Sequence, residues 1–272
     1  MIRWCAKHGR LVMILWSLPV SIVYFFMFYY VGISLAYWVL FVVFMTFTAW
    51  GFVHSCKFQV FMKSIKSLNE ACDPYPLLDV VNERLADLKS KKHLRGLLIY
   101  KALALREMGD FTSCSEILES IDLDQKAASP ILKILYYINL ADIYINLNKI
   151  NEAQRILSKA YEILQVTRLS KRNKLTLERY YTFNHFTIEF SKGITDGMEE
   201  FLLMINKQPL SKRFLISSNL ATAEFYLREN KVNIAKEYLQ FVIDDGNKLY
   251  DAVRAQKMMD SIEEQVEKQP DR

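Results

Sequence analysis

Catalysis and metal binding need side chains that converge, and this chain supplies few candidates. His8, His54, His93 and His185 stand in four separate stretches, none with an acid or a cysteine at the spacing of a metal site or a nucleophile–base pair. Cys5, Cys56, Cys72 and Cys114 lack the density and paired spacing of a disulfide framework or a zinc site, and they read as reduced thiols. Cys5 and Cys56 flank a long apolar run, where palmitoylation is conceivable chemistry, but unmodified thiols are the preferred reading. The eight glycines form no GxGxxG or Walker sequence, so a nucleotide phosphate has no cradle. Adjacent acids such as Glu199–Glu200 and Asp244–Asp245 point in different directions on a helix. Two basic runs, Lys89 to Arg95 and Arg168 to Lys174, read as loop-like solvated turns rather than anion-binding patches. No catalytic residue, cofactor site or metal ligand is assigned, and no enzyme is expected.

The elements that carry these residues divide between two solvents. From Leu11 to Cys56 there is no Asp, Glu, Lys or Arg, whereas the residues that follow are an ordinary mixture. A helix needs roughly 20 apolar residues to cross a hydrocarbon core, so this run suits two spans. They are read from about Leu11 to Val31 and from about Leu35 to Val53, reversing at Gly32, Ile33 and Ser34. Pro19 marks a kink, and Ser17 with Ser21 forms a small-xxx-small pair that would let the helices approach. A cleaved signal peptide is rejected because its apolar region is only ~7–15 residues long. Arg3, Lys7 and Arg10 precede the first span and Lys57, Lys63 and Lys66 follow the second, so both termini are expected on the cytoplasmic side, with the basic flanks on anionic lipid. Of the +5 net charge those first three residues supply +3, leaving +2, too balanced for nucleic-acid binding.

Residues 57–75 read as a juxtamembrane connector in which Phe58, Phe61, Ile65 and Leu68 recur at helical spacing, ending at a hinge over Asp73 to Pro76. Beyond Pro76 apolar residues fall at three- and four-residue intervals, which predicts an all-α domain. Tight breaks are expected at Gly109–Asp110, Asn148–Lys149, Lys192–Gly193 and Asn230–Lys231. Looser ones are expected near Asp122 to Pro130, Leu169 to Asn173, Gln208 to Ser211 and Asp244 to Asn247. Alternating tight and loose turns imply antiparallel helix pairs stacked in series. A last helix, about Asn247 to Lys268, carries Leu249, Ala252, Val253, Met259, Ile262 and Val266 on one side as a cap.

The clearest pair runs from Leu132 to Gln165, with Tyr137, Leu140, Ala141 and Tyr144 in its first helix and Ala153, Leu157 and Ala160 in its second. In type and spacing these residues resemble the tetratricopeptide repeat family, with Asn148 where that family usually has Gly. Leu98, Ala102, Leu105, Gly109, Cys114 and Leu118 before it, and Ala223, Tyr226, Ala235, Leu239 and Val242 after it, keep the pattern. From Tyr180 to Asn206, Phe186, Glu189, Met198 and Ile205 replace the expected types. The resemblance covers about residues 92–245, at intervals of 39, 45 and 37 residues measured on Cys114, Ala153, Met198 and Ala235.

That resemblance implies a right-handed α-solenoid whose first helices line a groove for an extended peptide or partner helix. Carried over residue by residue, the groove would comprise Arg106, then Asn139, Asp142 and Asn146, then Tyr180, Asn184 and Thr187, then Glu224 and Arg228. Asn139 and Asn184 occupy equivalent places, where an amide in this family commonly bonds a ligand's backbone. The expected organisation is a cytoplasmic N-terminus with a two-span hairpin (1–56), the connector (57–75), a tetratricopeptide-like domain with a capping helix (76–268) and a tail (269–272). The expected function is a membrane-anchored, non-enzymatic adaptor or scaffold that binds a protein or peptide partner. The alternative is an accessory subunit of a transport, secretion or immunity complex in which the hairpin makes the essential contacts. Richness in Ile, Lys, Asn, Phe and Tyr points to an AT-rich bacterial genome, hence a plasma membrane.

Overall fold

Left-handed backbone positions punctuate the chain. The computed structural model describes residues 1–32, 34–87, 91–123 and 128–267, with no side-chain detail for 24, 35, 91–92 and 265–267. Outside the described residues lie Ile33 of the expected reversal, Lys89 and Ser90 of the first basic run, positions 124–127 of the expected break, the side chain of Val266, and Lys268 with the tail 269–272. The helices are α1 (Ile2–Lys7), α2 (Gly9–Val31), α3 (Leu35–Ala71), α4 (Tyr75–Ala86), α5 (Lys91–Glu107), α6 (Phe111–Glu119), α7 (Pro130–Asn146), α8 (Ile150–Val166), α9 (Lys171–Ser191), α10 (Met198–Lys207), α11 (Lys212–Arg228), α12 (Val232–Asp245) and α13 (Tyr250–Glu267). Among the described residues there is no strand. The chain divides into two units, Met1–Ile65 and Lys66–Arg272.

The first unit holds α2, of 23 residues, and all but the last six residues, 66–71, of the 37-residue α3, and both helices are long and apolar enough to cross a membrane. Gly32 ends α2 at φ 72°, the left-handed conformation that lacks a Cβ penalty. The Ser17 and Ser21 hydroxyls donate back to the carbonyls of Met13 and Ser17, at 2.8 and 2.7 Å, so neither is left unpaired in an apolar helix. They belong to a half-sheltered stripe with Met13, Val20 and Phe28. On α3 the sheltered stripe is Trp38, Val42, Met45, Ala49, Val53 and Cys56, again at three- and four-residue steps. The helices pack closely at Gly9, where an added Cβ would sit 2.5 Å from Val53 Cγ1.

In the second unit the same turn occurs four times. Gly109, Asn148, Gly193 and Asn230 adopt φ 84°, 58°, 90° and 58° between α5 and α6, α7 and α8, α9 and α10, and α11 and α12. In each, the left-handed residue donates its N–H three residues back, as Asn148 does to Ile145. The next residue donates five back, as Lys149 does to Tyr144, satisfying two helix-end carbonyls. Asparagine reaches this conformation at lower cost than other side-chain-bearing residues. The two asparagine turns share a further contact: Lys149 lies over the Tyr144 ring and Lys231 over the Tyr226 ring, each at 5.5 Å.

Small residues occupy the crossings. Ala102, Ala141, Ala153, Ala160, Ala223 and Ala235 are buried, and where the pattern has Ala in α6 the Cys114 thiol instead donates to the Ala102 carbonyl at 2.9 Å. Burial pushes that thiol up to about 12. Between α9 and α10 larger residues fill the crossing, with Phe186 stacked on Phe201 at 4.5 Å beside buried Met198 and Ile205. One apolar core runs from α5 to α9, and another is centred on α9 to α12.

Several expectations change. The described part of the Lys89–Arg95 run is helical, because Lys91 to Arg95 form the first turn of α5. The break at Leu169 to Asn173 closes earlier, because Ser170 caps α9 by accepting from the Asn173 N–H. The buried face of α13 is Ala252, Ala255 and Met259, with buried Leu249 just before the helix, while Val253, about 100° further round the helix than Ala252, is half exposed. The chain does break after α3, with Cys72 at φ 55°, yet the segment is held rather than left as a hinge. Asn247 donates to the Ala71 carbonyl, the Lys248 N–H donates to the Cys72 carbonyl, and the Lys248 ammonium pairs with Asp73 at 2.8 Å.

Candidate functional site

Helices α5, α7, α9, α11 and α13 turn one face toward a shared set of charges. α5 supplies Arg106 and Glu107, α7 Asp142, α9 Tyr180, α11 Arg213, Ser217 and Glu224, and α13 Asp251 and Arg254. Arg106 pairs with both Asp142 and Glu107. Glu107, whose side chain is 2% exposed, also accepts from Arg213. Arg213 in turn donates its Nε–H to Asn69 Oδ1 at 3.2 Å and reaches toward the Tyr180 hydroxyl at 3.5 Å. Ser217 donates to Asp251 at 2.6 Å, and Arg254 pairs with Glu224.

This geometry exists because α13 returns to α5. Tyr250 packs edge-on against Phe111 with ring centroids 5.3 Å apart, and a Cβ on Gly109 would sit 2.3 Å from the Tyr250 ring. Gly109 is therefore required twice, for its positive φ and for the space that Tyr250 fills.

Burial penalises every charge here, and the partners decide the outcome. Burial pulls the Arg106 guanidinium down, but Asp142, Glu107 and Asp251 outweigh it and hold its pKa well above the ordinary value. Burial pushes Glu107 up, but Arg106 and Arg213 overcome it and leave the carboxyl below its usual range. Burial also pulls Arg213 down, and Glu107 with Tyr180 more than restores it. Asp251 and Glu224 differ. Burial raises both, and neither Arg106 beside Asp251 nor Arg254 beside Glu224 fully offsets it.

The nine residues assigned to a groove fall as follows. Arg106 and Asp142 are brought together as a pair. Asn146 donates to its own helix at the Asp142 carbonyl, and the Thr187 hydroxyl donates to the Phe183 carbonyl. Tyr180 meets Arg213 and lies edge-on to Phe214. Asn184 is buried and donates to the Ile138 carbonyl at 2.9 Å, so an amide assigned to a ligand's backbone engages the chain's own. Glu224 pairs with Arg254, and Arg228 donates to the Phe190 carbonyl while lying 4.2 Å from the Phe190 ring. Asn139 is half-buried and makes no hydrogen bond among the described residues.

Sequence reasoning did not single out Glu107, Arg213, Asp251 or Arg254. Asp251 and Arg254 lie off the apolar side expected of the last helix, and the repeat pattern has no position that flags a charge reaching across to another pair. The available signal was Glu107 and Arg213 themselves, charged residues within otherwise apolar helical spacing. Chemically the arrangement is a set of mutually neutralising ion pairs. It holds no nucleophile–base pair, and no group of three or more His, Cys, Asp or Glu is placed to hold a metal among the described residues. Comparison with known proteins gives no match: no protein-family model, no curated protein and no solved structure matches this chain.

Proposed function

We propose that this chain is a membrane-anchored adaptor, a two-span hairpin holding a tetratricopeptide-like right-handed solenoid that binds a protein or peptide segment at the cytoplasmic face. The observation that carries the reading is the four-fold recurrence of one turn. Gly109, Asn148, Gly193 and Asn230 recur with the same left-handed backbone and the same pair of hydrogen bonds, beside buried Ala141, Ala153, Ala160, Ala223 and Ala235. Stacked helix pairs have no need for chemistry at their crossings; they offer surface. The two apolar helices, with basic residues before the first and along the later part of the second, support anchoring with both ends on one side. Anchoring raises the local concentration of whatever the module binds, so modest affinity suffices.

Because the other eight groove residues bond elsewhere in the chain, the contact point offered to a partner is Asn139, whose half-buried amide has both donor and acceptor to give. The test is in-cell crosslinking of the full-length chain, followed by binding measurements in detergent with Asn139→Ala. Loss of a hydrogen bond worth about 1 kcal/mol weakens the partner roughly five-fold. Unchanged affinity removes the groove assignment. Replacing the hairpin with an unrelated two-span anchor should leave the function intact; loss of function would favour a subunit whose spans make the essential contacts.

A further inference from the structure

We propose that Cys5 and Cys56 are a disulfide pair, closed by a hydroperoxide and opened by a thiol reductant. Cys5 lies on the six-residue α1 and Cys56 on α3, yet both are buried in one small cluster with Val12 and Val53, where the Cys5 side chain is a hydrogen-bonding neighbour of Cys56. The close approach of Gly9 to Val53 packs the start of α2 against this part of α3, about one turn beyond Cys5, so the two thiols share one packed corner rather than meeting by chance exposure. The other two cysteines, Cys72 and Cys114, lie in the second unit, where Cys114 already donates to a carbonyl.

The step balances with a hydroperoxide as oxidant. One sulfur attacks the distal peroxide oxygen, the O–O bond breaks, and the alcohol leaves with the thiol proton, giving a sulfenic acid. The second sulfur then displaces that oxygen, the S–S bond forms, and water leaves with the second proton. Two sulfurs are oxidised by two electrons and one peroxide is reduced. Cys5 is the first sulfur, because a helix of six residues opens at little cost whereas Cys56 sits inside a long one. The thiols are buried among Val12, Val53, Ala6 and Met13, an apolar surrounding that favours a lipophilic hydroperoxide over an aqueous one. The closed bond joins the open end of the hairpin, so α2 and most of the apolar part of α3 become one covalent loop.

The test uses the full-length chain in liposomes, exposed to cumene hydroperoxide or, at equal concentration, hydrogen peroxide. Free thiols are blocked with N-ethylmaleimide, disulfides are reduced, and the released thiols are tagged with a polyethylene-glycol maleimide. The expected result is two tags per chain, unchanged in Cys72→Ser and Cys114→Ser and absent from Cys5→Ser and Cys56→Ser. Cys56→Ala should accumulate a dimedone-reactive sulfenic acid at Cys5, which shows that the variant remains folded and reactive. Faster closure with cumene hydroperoxide assigns the oxidant to the lipid phase, and faster closure with hydrogen peroxide assigns it to water. No tags on the parent chain, tags persisting in Cys5→Ser, or bonds only between chains would overturn the pairing.

Discussion

Changing Glu107 to Gln removes one negative charge while keeping the shape of the side chain, and the surroundings set the consequence. Arg106 retains Asp142, but Arg213, with its side chain only 10% exposed, is left with Asn69 and a long contact to Tyr180. Breaking a buried pair by removing one partner costs ~3–5 kcal/mol, because the remaining charge stays desolvated. In a domain of this size each kcal/mol lowers Tm by roughly 2–4 °C, so Glu107→Gln should melt about 6–20 °C lower. Removing both charges, as in Glu107→Leu with Arg213→Met, should recover most of that loss, since a buried pair replaced by apolar residues is often neutral or better. All four tryptophans, Trp4, Trp16, Trp38 and Trp50, lie in the first unit, so indole fluorescence would not report the transition. Circular dichroism at 222 nm on the full chain in detergent would, with α2 and most of α3 contributing a constant baseline. A single variant within ~0.5 kcal/mol of the parent, or a double variant worse than the single, would refute the claim that these charges hold α5 to α11.

Gly109→Ala should destabilise by roughly 2–5 kcal/mol, combining a left-handed alanine with a collision against Tyr250; Gly193→Ala, at φ 90° but in open space, should cost only the ~1–2 kcal/mol backbone part. Thermal melts of the two variants side by side separate the contributions. Asn184→Ala should lose ~1–3 kcal/mol, because the Ile138 carbonyl loses a buried donor, and the same melts check it. Acid should act in two opposed stages. Asp251 and Glu224 have raised values, so their charged forms cost stability at neutral pH, and that cost is relieved as pH falls through their folded values. Glu107 has a lowered value, so its contribution is present above the ordinary carboxyl range and is lost only as pH falls through its folded value. Urea titrations across the acid range should therefore show Asp251→Asn flattening the first stage and Glu107→Gln the second.

What the sequence made legible was local. Helical spacing places the apolar faces, and Gly109, Asn148 and Asn230 announce left-handed turns because few residues tolerate that backbone. The turn intervals follow directly from those residues. The capping serines were missed: Ser170 and Ser211 each accept from an N–H three residues on, a bond that starts a helix one or two residues before an apolar pattern is visible. The charge cluster was not legible, since it joins positions 36 residues apart at Arg106 and Asp142 and 106 apart at Glu107 and Arg213. Nothing local in either residue encodes a partner at that separation. The same holds for Asn247 and Lys248, polar residues of a loop until Ala71, Cys72 and Asp73 are brought beside them.

Those distant contacts change what a groove in this chain can accept. A stack in which each pair touches only its neighbours leaves the inner charges free for a ligand. Here Arg106, Asp142, Glu224 and Arg228 are committed to the chain itself, so a partner drawing on them must first break charge-assisted bonds, which for Arg106 and Asp142 lie in a poorly hydrated setting. Each such exchange costs at least as much as the bond it replaces. In the proposed adaptor, affinity would therefore come from groups not already engaged, of which Asn139 is the clearest, and from apolar contact. On the proposed reading the ion pairs would act against the wrong partner: a peptide with misplaced charge would meet Arg106, Asp142 and Glu224 already paired. Glu224→Gln tests this. It should free Arg254, its side chain 36% exposed, without the large stability loss of Glu107→Gln, and binding to an acidic peptide should rise in fluorescence anisotropy. No gain in acidic-peptide binding would mean that the cluster serves stability alone.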